Sequence, residues 1–286
     1  MMRFIKPVML ALAALGTVLA APPALAWGSL GHRTVAAIAW ANVRPQTRVQ
    51  IDALLRQTRM LNTPECAVRT LADASTWADC VRKDGDRFRF ASRWHFQSED
   101  ICRAYDPQED CAGSNCVTAQ IDRDRMTLAQ PGKPVAERVQ ALMFLVHFVG
   151  DIHQPLHSAD HARDRGGNDL LVAGGQFDGF NMHELWDGQV ALAAINGAPR
   201  PLVRGYSAAE KAQFGGGRVH DWGRESWELA RALVYPAALG GDPCRPRAPR
   251  FARFDAQSLV RAAPVARIRI VQAGLRLARM LDESFP

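Results

Sequence analysis

The chain has 286 residues, of which 48% are apolar and 22% are charged, a length and composition that suit one large or two small soluble domains and exclude a mainly disordered protein. No fixed-period repeat or low-complexity tract occurs, so collagen, coiled-coil and solenoid architectures are also excluded. The formal net charge of +6 permits an anionic substrate without requiring one.

The first 26 residues have the pattern of a secretory signal. Two basic residues near the start precede an apolar run over 8–21, and Ala24-Leu25-Ala26 fits the small-x-small pattern of a signal peptidase site. A transmembrane anchor is the alternative, but the run is shorter than the roughly 20 residues that span a bilayer. We therefore predict cleavage after residue 26, a mature domain over 27–286, no membrane attachment, and a periplasmic or secreted location.

Six cysteines follow this segment. An even number of cysteines in an exported chain favours disulfides over free thiols. A thiolate zinc site is disfavoured because the sequence contains no C-x-x-C unit. Cys111 and Cys116 are close enough to close a small loop, whereas spacing alone does not pair the others. The remaining four are Cys66, Cys80, Cys102 and Cys244.

Helical periodicity prevails along the chain, and the segment over 134–153 is the strongest case. Its centre is apolar nearly all round, which predicts a helix buried in the core. The helix predicted over 46–58 follows Pro45, a residue suited to a helix start. Apolar residues also recur at helical spacing over four further segments. These are 31–42, 65–82, 216–239 and 255–282.

Strand-like alternation is confined to short pieces near 93–97 and 169–178. Four segments rich in Gly, Pro, Asp and Asn are predicted as loops. They cover 83–92, 100–115, 160–168 and 240–250. No linker separates two cores, so the sequence predicts one mainly α domain.

Histidine–carboxylate pairs carry the candidate chemistry. His147 and Asp151 are four residues apart in the predicted core helix, and His183 and Asp187 repeat this spacing, which places each pair on one helix face. Burying an imidazole and a carboxylate is costly unless both are satisfied. For a single histidine an ordinary hydrogen-bonded core position is the usual explanation, but two such pairs favour a metal ion.

Further histidines and aspartates enlarge the candidate site. His32, His95, His157 and Asp79 join the two pairs, which is more than one tetrahedral zinc ion can use. Nitrogen and carboxylate ligands without thiolate favour zinc or a similar cation. A cluster of two or three such ions is typical of enzymes that attack phosphate esters.

The motifs that contain these residues occur in a recognisable order. They are Trp27-Gly28 with Gly31-His32, Trp77-Ala78-Asp79, Trp94-His95-Phe96, His147-Phe148-Val149-Gly150-Asp151 with Gln154-Pro155-Leu156-His157, Gly166-Gly167-Asn168, and His183 with Trp186-Asp187. In this combination the chain resembles the zinc-dependent S1/P1 nuclease family, which is related to zinc-dependent phospholipase C. The resemblance implies a single-domain, mainly α, phospholipase C/P1 nuclease-like fold with short β pieces and three zinc ions.

The resemblance also implies a ligand set for each ion. The first zinc would be held by Asp79, His95, His147 and Asp151. The second would be held by the α-amino nitrogen and carbonyl oxygen of Trp27, by His32 and by the bridging Asp151. The third would be held by His157, His183 and Asp187. A free α-amino group has a pKa of about 7.7 to 8.0, so a cation can displace its proton.

Other positions match substrate-binding residues of the family. By resemblance, Arg82 would bind phosphate, although a surface helix arginine is the ordinary alternative. Phe96 would stack on a base and Asn168 would contact the base edge. Ser98 stands where fungal members carry Asp, and Gln189 stands where they carry Tyr. The family's disulfides imply the pairs Cys111–Cys116 and Cys102–Cys244, which leaves Cys66–Cys80 as an addition.

The implied activity is metal-assisted hydrolysis of single-stranded RNA and DNA to 5′-phosphorylated products, together with 3′-nucleotidase activity. Asp79 would orient the attacking water or accept its proton. Nothing in the sequence implies a protein partner, and we expect a monomer.

Two alternatives remain. A zinc-dependent phospholipase C typically has Glu where this chain has Asp187, and the Gly-Gly-Asn motif favours nucleotides. A non-catalytic zinc-scaffolded binding module would predict a lost ligand, and every ligand position is filled.

Overall fold

A computed structural model describes residues 27–82, 85–246 and 248–285, and the predicted signal segment lies outside these ranges. The described chain is mainly helical, which confirms the predicted fold class. The helices are α1 (Gly28–Asn42), α2 (Pro45–Leu55), α3 (Leu71–Val81), α4 (Val117–Leu128), α5 (Val135–Asp151), α6 (Met182–Leu185), α7 (Ala191–Asn196), α8 (Ala208–Phe214), α9 (Val219–Leu229), α10 (Tyr235–Leu239) and α11 (Ala256–Ser284). Short π-helical segments, Trp186–Val190 and Ala230–Val234, join α6 to α7 and α9 to α10.

Helix α5 forms the centre of the core. Every residue from Ala141 to Asp151 is buried, which explains why the sequence is apolar nearly all round there. Helices α3 and α4 pack against α5, and α1 packs against α3 and α11. The carboxyl-terminal end of α5 therefore lies inside the molecule, where it can bring polar side chains to a protected site.

Helix α3 begins later than the sequence predicted. The predicted start near residue 65 is wrong because a capping box fixes the first turn at Thr70. The Thr70 hydroxyl accepts a hydrogen bond from the Asp73 amide (3.1 Å), and the Asp73 carboxylate accepts one from the Thr70 amide (3.0 Å). This cap sets the register of the helix that carries Asp79.

The predicted strands are mostly wrong. Residues 93–97 fall largely in a 3₁₀ helix, Arg89–His95, since a short alternating run does not distinguish a strand from tight turns. The strands are instead β1 (Glu99–Asp100) and β2 (Ala159–Asp160), which pair in parallel. Within 169–178, Leu171 and Val172 make isolated bridges.

Four helices, α4, α6, α7 and α8, lie outside the segments predicted as helical. Helix α4 has a central run of four charged residues that breaks the apolar pattern, although Val117, Ile121 and Leu128 are buried on one side. Helix α8 is a short surface helix that begins at a Ser207–Glu210 capping box. In the described parts of the chain, no helix is long and apolar enough to cross a membrane.

Three disulfides fix loops of the fold. Cys66–Cys80 links the segment before α3 to the end of that helix, and Cys111–Cys116 closes the loop before α4. Cys102–Cys244 joins the loop after β1 to the loop after α10, across 142 residues of sequence.

Candidate metal centre

The predicted metal ligands converge on one buried region from separate elements. His32 lies on α1, Asp79 on α3, and His147 and Asp151 on α5. Four further residues come from irregular or short helical segments around these helices. His95 ends the 3₁₀ helix Arg89–His95, His157 ends the 3₁₀ turn Pro155–His157, and His183 and Asp187 lie on α6 and the following π segment.

Asp151 lies between two groups of ligands. Its Oδ1 atom is 3.2 Å from His32 Nε2. Its Oδ2 atom is 3.1 Å from both His95 Nδ1 and His147 Nε2. Asp79 Oδ1 completes this side at 3.8 Å from the same two histidine nitrogens. One carboxylate therefore offers one oxygen to each group, which is the arrangement of a ligand that bridges two cations.

A third group lies on the other side of the centre. His157 Nε2 is 3.0 Å from His183 Nε2, and His183 Nε2 is 3.3 Å from Asp187 Oδ2. The second oxygen of Asp187 accepts hydrogen bonds from Gln154 Nε2 (2.7 Å) and from the Trp27 backbone nitrogen (3.1 Å). The Trp27 nitrogen thus contacts Asp187, whereas the resemblance assigns Trp27 to the same zinc ion as His32.

The ligand atoms form three compact sets, in each of which all atoms lie within 4.8 Å of one another. His147 belongs to two of them. The sets are His32 with His147 and Asp151, Asp79 with His95 and His147, and His157 with His183 and Asp187. The structure therefore brings together the eight side chains that the sequence singled out.

Backbone carbonyls fix the tautomer of three of these histidines. A carbonyl only accepts, so a ring nitrogen bonded to it carries the proton and the other ring nitrogen presents a lone pair. The Nδ1 atoms donate over 2.7 Å in each case, from His147 to Ser75 O, from His157 to His95 O, and from His183 to Gly166 O. The three Nε2 atoms consequently face the centre as metal ligands do.

These residues fit divalent cations. The lone pairs of His157 Nε2 and His183 Nε2 face each other over 3.0 Å, a repulsive contact unless a cation lies between them. Among the described residues, His32 Nε2, Asp151 Oδ1 and Asp187 Oδ2 are buried without a hydrogen-bond partner. Buried polar atoms are normally satisfied, and cations would satisfy these.

Protonation states support the same interpretation. Burial, together with the neighbouring His183, lowers the pKa of His157 to about 3, and burial also lowers the pKa values of His32 and His95. These rings are neutral at pH 7, the form that binds a metal. His147 is the exception, because the carboxylates of Asp151 and Asp79 outweigh burial and raise its pKa to about 9, so a cation must displace the proton before Nε2 can bind it.

Gly150 allows two of the ligand helices to approach closely. A Cβ atom at Gly150 would lie 2.6 Å from His32 Nδ1, well inside van der Waals contact. The glycine between His147 and Asp151 is therefore required for His32 to stack on His147, whose ring centroid is 4.1 Å away.

A cleft of about 660 Å³ opens to the surface from the set that contains His95 and the set that contains His157 and His183. His95, His157 and His183 form part of its floor. Its walls include the three predicted substrate-binding residues and further residues for which no role was predicted. The predicted substrate-binding residues are Arg82, Phe96 and Asn168. The residues without a predicted role include Arg93, Asp160, Arg163 and Arg165. Ser98 lines the cleft, whereas Gln189 lies outside the described lining.

Arg82 and Arg93 have different settings in this cleft. Arg82 Nη1 is 3.3 Å from Asp79 Oδ1, and 34% of the Arg82 side chain is exposed. The Arg93 guanidinium lies 5.1 Å from the centroid of the Phe96 ring and donates to Asp110 Oδ1 over 2.6 Å. The position of Arg93 three residues before Phe96 was the available signal, since Arg93 lies in the last turn of the 3₁₀ helix that Phe96 follows.

Comparisons with known proteins agree with this geometry. The family described as S1/P1 Nuclease matches residues 27–286. Endonuclease 3 of Arabidopsis thaliana is 29% identical over 92% of this chain and 90% of its own length, and Endonuclease 2 of the same plant is 30% identical over 93% of each chain. Nuclease S1 of Aspergillus oryzae is 32% identical over 63% of this chain and 60% of its own length. The chain therefore belongs to the S1/P1 nuclease family.

Proposed function

We propose that this protein is a zinc-dependent endonuclease that cleaves single-stranded RNA and DNA to 5′-phosphorylated products and also removes the phosphate of 3′-nucleotides. Family membership over residues 27–286 supports hydrolytic nuclease activity. The observation that carries the proposal is Asp151, which directs one carboxylate oxygen to His32 and the other to His95 and His147.

The proposed ligands are those of the three sets, with Trp27 added after signal cleavage. Asp79, His95, His147 and Asp151 would hold the first zinc, Trp27, His32 and Asp151 the second, and His157, His183 and Asp187 the third. Zinc ions bound there would supply Lewis acidity and lower the pKa of a water molecule.

Asp79 and Arg82 are the proposed catalytic residues at the mouth of the cleft. Asp79 is buried beside the ligands, and its Oδ1 faces the Arg82 guanidinium. A carboxylate there can orient the attacking water and accept its proton. The partly exposed guanidinium of Arg82 can bind phosphate oxygens with its planar pair of donors.

Phe96 and Asn168 are the proposed base-binding residues. Phe96 is half-buried and lines the cleft, so a base can stack on its ring. The Asn168 amide donates one hydrogen bond to Arg165 O (2.8 Å), and this fixes the side chain at the cleft wall. A base must leave a duplex stack to reach Phe96, which favours single strands.

The test uses the mature chain that begins at Trp27. It is offered single-stranded RNA, single-stranded DNA, a duplex, 3′-AMP and phosphatidylcholine, and zinc per chain is measured on the same sample. We expect cleavage of both single strands with 5′-phosphate ends, slow cleavage of the duplex, and loss of activity with a chelator. Hydrolysis of phosphatidylcholine alone would identify a phospholipase, and zinc binding without any hydrolysis would identify a binding module.

We also propose export to the periplasm or the medium, and a monomer in solution. The disulfides support export, because such bonds persist in oxidising compartments. Cell fractionation and amino-terminal sequencing test the location and the cleavage site, and light scattering tests the oligomeric state.

A further inference from the structure

A second groove adjoins the catalytic cleft. Its volume is about 750 Å³, and residues near Cys102 and over 161–164, 169–171, 243–245 and 248–251 form its walls. Arg163 lines both the groove and the cleft. Asp160, at the end of β2, lines the cleft, and the next residue, His161, lines the groove. The two depressions are therefore neighbours that meet at Arg163.

The groove has unneutralised positive charge. Arg163, Arg245 and Arg250 line it and are exposed. Within the described residues, none of the three forms an ion pair with a carboxylate. Arg245 donates to the Leu239 carbonyl over 3.1 Å, which positions its guanidinium without neutralising it.

The carboxylates of the groove already have partners. Asp169 accepts two hydrogen bonds from Arg165 (2.7 and 2.6 Å). Asp164 accepts one from the Tyr235 hydroxyl (2.9 Å), and Asp100 accepts one from the Cys102 amide (2.8 Å). Asp100 Oδ2 also lies 3.8 Å from Arg103 Nε, and burial raises the pKa of Asp164 to about 6. The exposed arginines therefore exceed the unpaired, exposed carboxylates of the groove, and an anionic ligand would complement them.

An exposed aromatic side chain lies in the same groove. Phe251 is 55% exposed. Backbone hydrogen bonds of the next residue, Ala252, nevertheless hold this segment in place. The Ala252 amide donates to Leu171 O (2.8 Å), and the Ala252 carbonyl accepts from the Ala173 amide (3.0 Å). An exposed ring on a fixed backbone beside free guanidinium groups is the combination with which proteins bind single-stranded nucleic acids.

The backbone at Arg163 is held in an unusual conformation. Ala162, Arg163 and Arg165 have φ values of 53°, 66° and 56°, which are unfavourable for residues with a side chain. Asp160 stabilises this loop, because its carboxylate accepts hydrogen bonds from the Arg163 amide (2.8 Å) and the Gly166 amide (3.3 Å). The loop thus presents Arg163 at the junction of the two depressions.

We infer that this groove is an extended substrate-binding site, which binds nucleotides of a single strand next to the nucleotide in the catalytic cleft. Phe251 stacks on a base, and Arg163 and Arg250 bind backbone phosphates. The inference rests on the proposed nuclease function and adds a second binding region for the same polymer. It predicts that long substrates use contacts that dinucleotides cannot reach.

The test compares a dinucleotide with a 12-nucleotide single strand. The variants are Phe251→Ala and Arg250→Gln, and Arg56→Gln is the matched charge control because Arg56 is exposed and lines neither depression. Both groove variants should raise KM for the 12-mer about 10-fold at unchanged kcat. Their kcat/KM for the dinucleotide should stay within about twofold of wild type, because a dinucleotide gains no stacking contact in the groove.

Salt dependence gives an independent readout. Loss of one phosphate contact in Arg250→Gln should reduce the slope of log affinity against log salt by about 0.7 for the 12-mer. Arg56→Gln should leave both KM and this slope unchanged. Thermal melting of each variant controls for folding.

Wild-type KM for the 12-mer in both groove variants would overturn the inference, and so would an equal loss on the dinucleotide. A wild-type chain that hydrolyses neither substrate would instead refute the proposed function. The groove is then tested by the Kd of a labelled phosphorothioate 12-mer: an increase of about 10-fold in Phe251→Ala supports it, and an unchanged Kd overturns it.

Discussion

Asp151 shows how much depends on single residues in this centre. It is fully buried, and the histidines around it hold its pKa well below the usual range despite burial. The carboxylate is therefore ionised and available to cations on both sides. Its Oδ1 faces His32, and its Oδ2 faces His95 and His147.

Asp151→Asn should remove the bridge while preserving the shape of the side chain. We expect a loss of at least one zinc per chain, a fall in hydrolysis of about 100-fold or more, and a lower Tm, because metal binding contributes to folding. Metal analysis, single-strand cleavage and thermal melting check this on one sample. Asp86→Asn, at a fully exposed carboxylate, is the control. Full zinc occupancy with normal activity in Asp151→Asn would contradict the assignment.

Phe96→Ala should separate substrate binding from metal binding. Phe96 lines the cleft without offering a ligand atom, so zinc content should stay at the wild-type value. Base stacking on an aromatic ring contributes about 1 to 3 kcal/mol, so KM for oligonucleotides should rise about 10-fold. An unchanged KM would show that the base binds elsewhere.

Asp124 gives a pH-dependent prediction away from the centre. Burial raises its pKa from the ordinary 3.8 to about 7, even though Arg123 donates to Oδ1 over 2.7 Å. Its Oδ2 is buried without a partner in the described chain. The folded state holds this proton more tightly than the unfolded chain does. The contribution of protonated Asp124 to the free energy of unfolding is therefore fully present below about pH 4 and is lost as the pH rises towards 7.

Asp124→Asn keeps the side-chain shape and does not titrate. The stability of the variant relative to wild type should therefore increase between pH 4 and pH 8, by on the order of 2 kcal/mol. Urea unfolding of both proteins across this range measures the difference and cancels pH effects common to them. A stability difference that is constant with pH would show that Asp124 is ionised throughout.

At the scale of elements, helices with a regular apolar period were the ones that could be predicted from the sequence. Helix α5 could be predicted because its period and its apolar centre agree, and the spacing of His147 and Asp151 placed both on one face. Helix α4 could not, because its charged run hides the buried side. The ion pair between Arg93 and Asp110 could not be predicted either, because Asp110 lies in a loop next to the Cys111–Cys116 disulfide. Contacts between loops leave no periodic signal.

A buried charge network joins α9 and α11 to the segment behind the centre. Arg269 and Arg276 are buried on α11, and Glu225 of α9 accepts from both, over 2.5 and 2.6 Å. The same arginines contact His153, at its carbonyl oxygen (3.2 Å) and at Nε2 (2.9 Å). His153 follows Asp151 by two residues, so the network supports the end of α5 from outside.

Glu225→Gln should leave two buried guanidinium groups without a counter-charge. We expect a loss of about 2 kcal/mol of unfolding free energy, because both guanidinium groups are buried, while the 35% exposure of Glu225 lets water offset part of the cost. Glu228→Gln, at an exposed position on the same helix, should change stability by less than about 0.5 kcal/mol. Equal unfolding midpoints in urea for the two variants would refute the role of the network.

At the scale of the whole molecule, the metal centre can form only when the chain is folded. Its ligands extend from His32 to Asp187 and lie on helices that meet only through the tertiary packing. The unfolded chain has no preformed site, so cations bound there would stabilise the folded state. The amino terminus is the part of this arrangement that depends on processing of the chain.

The amino-terminal prediction concerns Trp27, which is fully buried with its backbone nitrogen 3.1 Å from Asp187 Oδ1. If the freed α-amino nitrogen and the carbonyl oxygen hold zinc with His32, any residue left before Trp27 turns the amine into an amide. An amide nitrogen does not bind a cation without losing a proton that it holds tightly. We therefore expect one zinc fewer per chain and slower cleavage at neutral pH.

Two proteins test this prediction. One carries an uncleaved Gly-Ser extension before Trp27, and the other is the same protein after a protease has exposed Trp27 as the first residue. Zinc per chain is measured before and after the cut, together with single-strand cleavage and Tm. Because both samples share every side chain, a gain of one zinc on cutting isolates the α-amino group as a ligand. Equal zinc content and equal rates would leave Trp27 a buried aromatic residue and reduce the proposed centre to two ions.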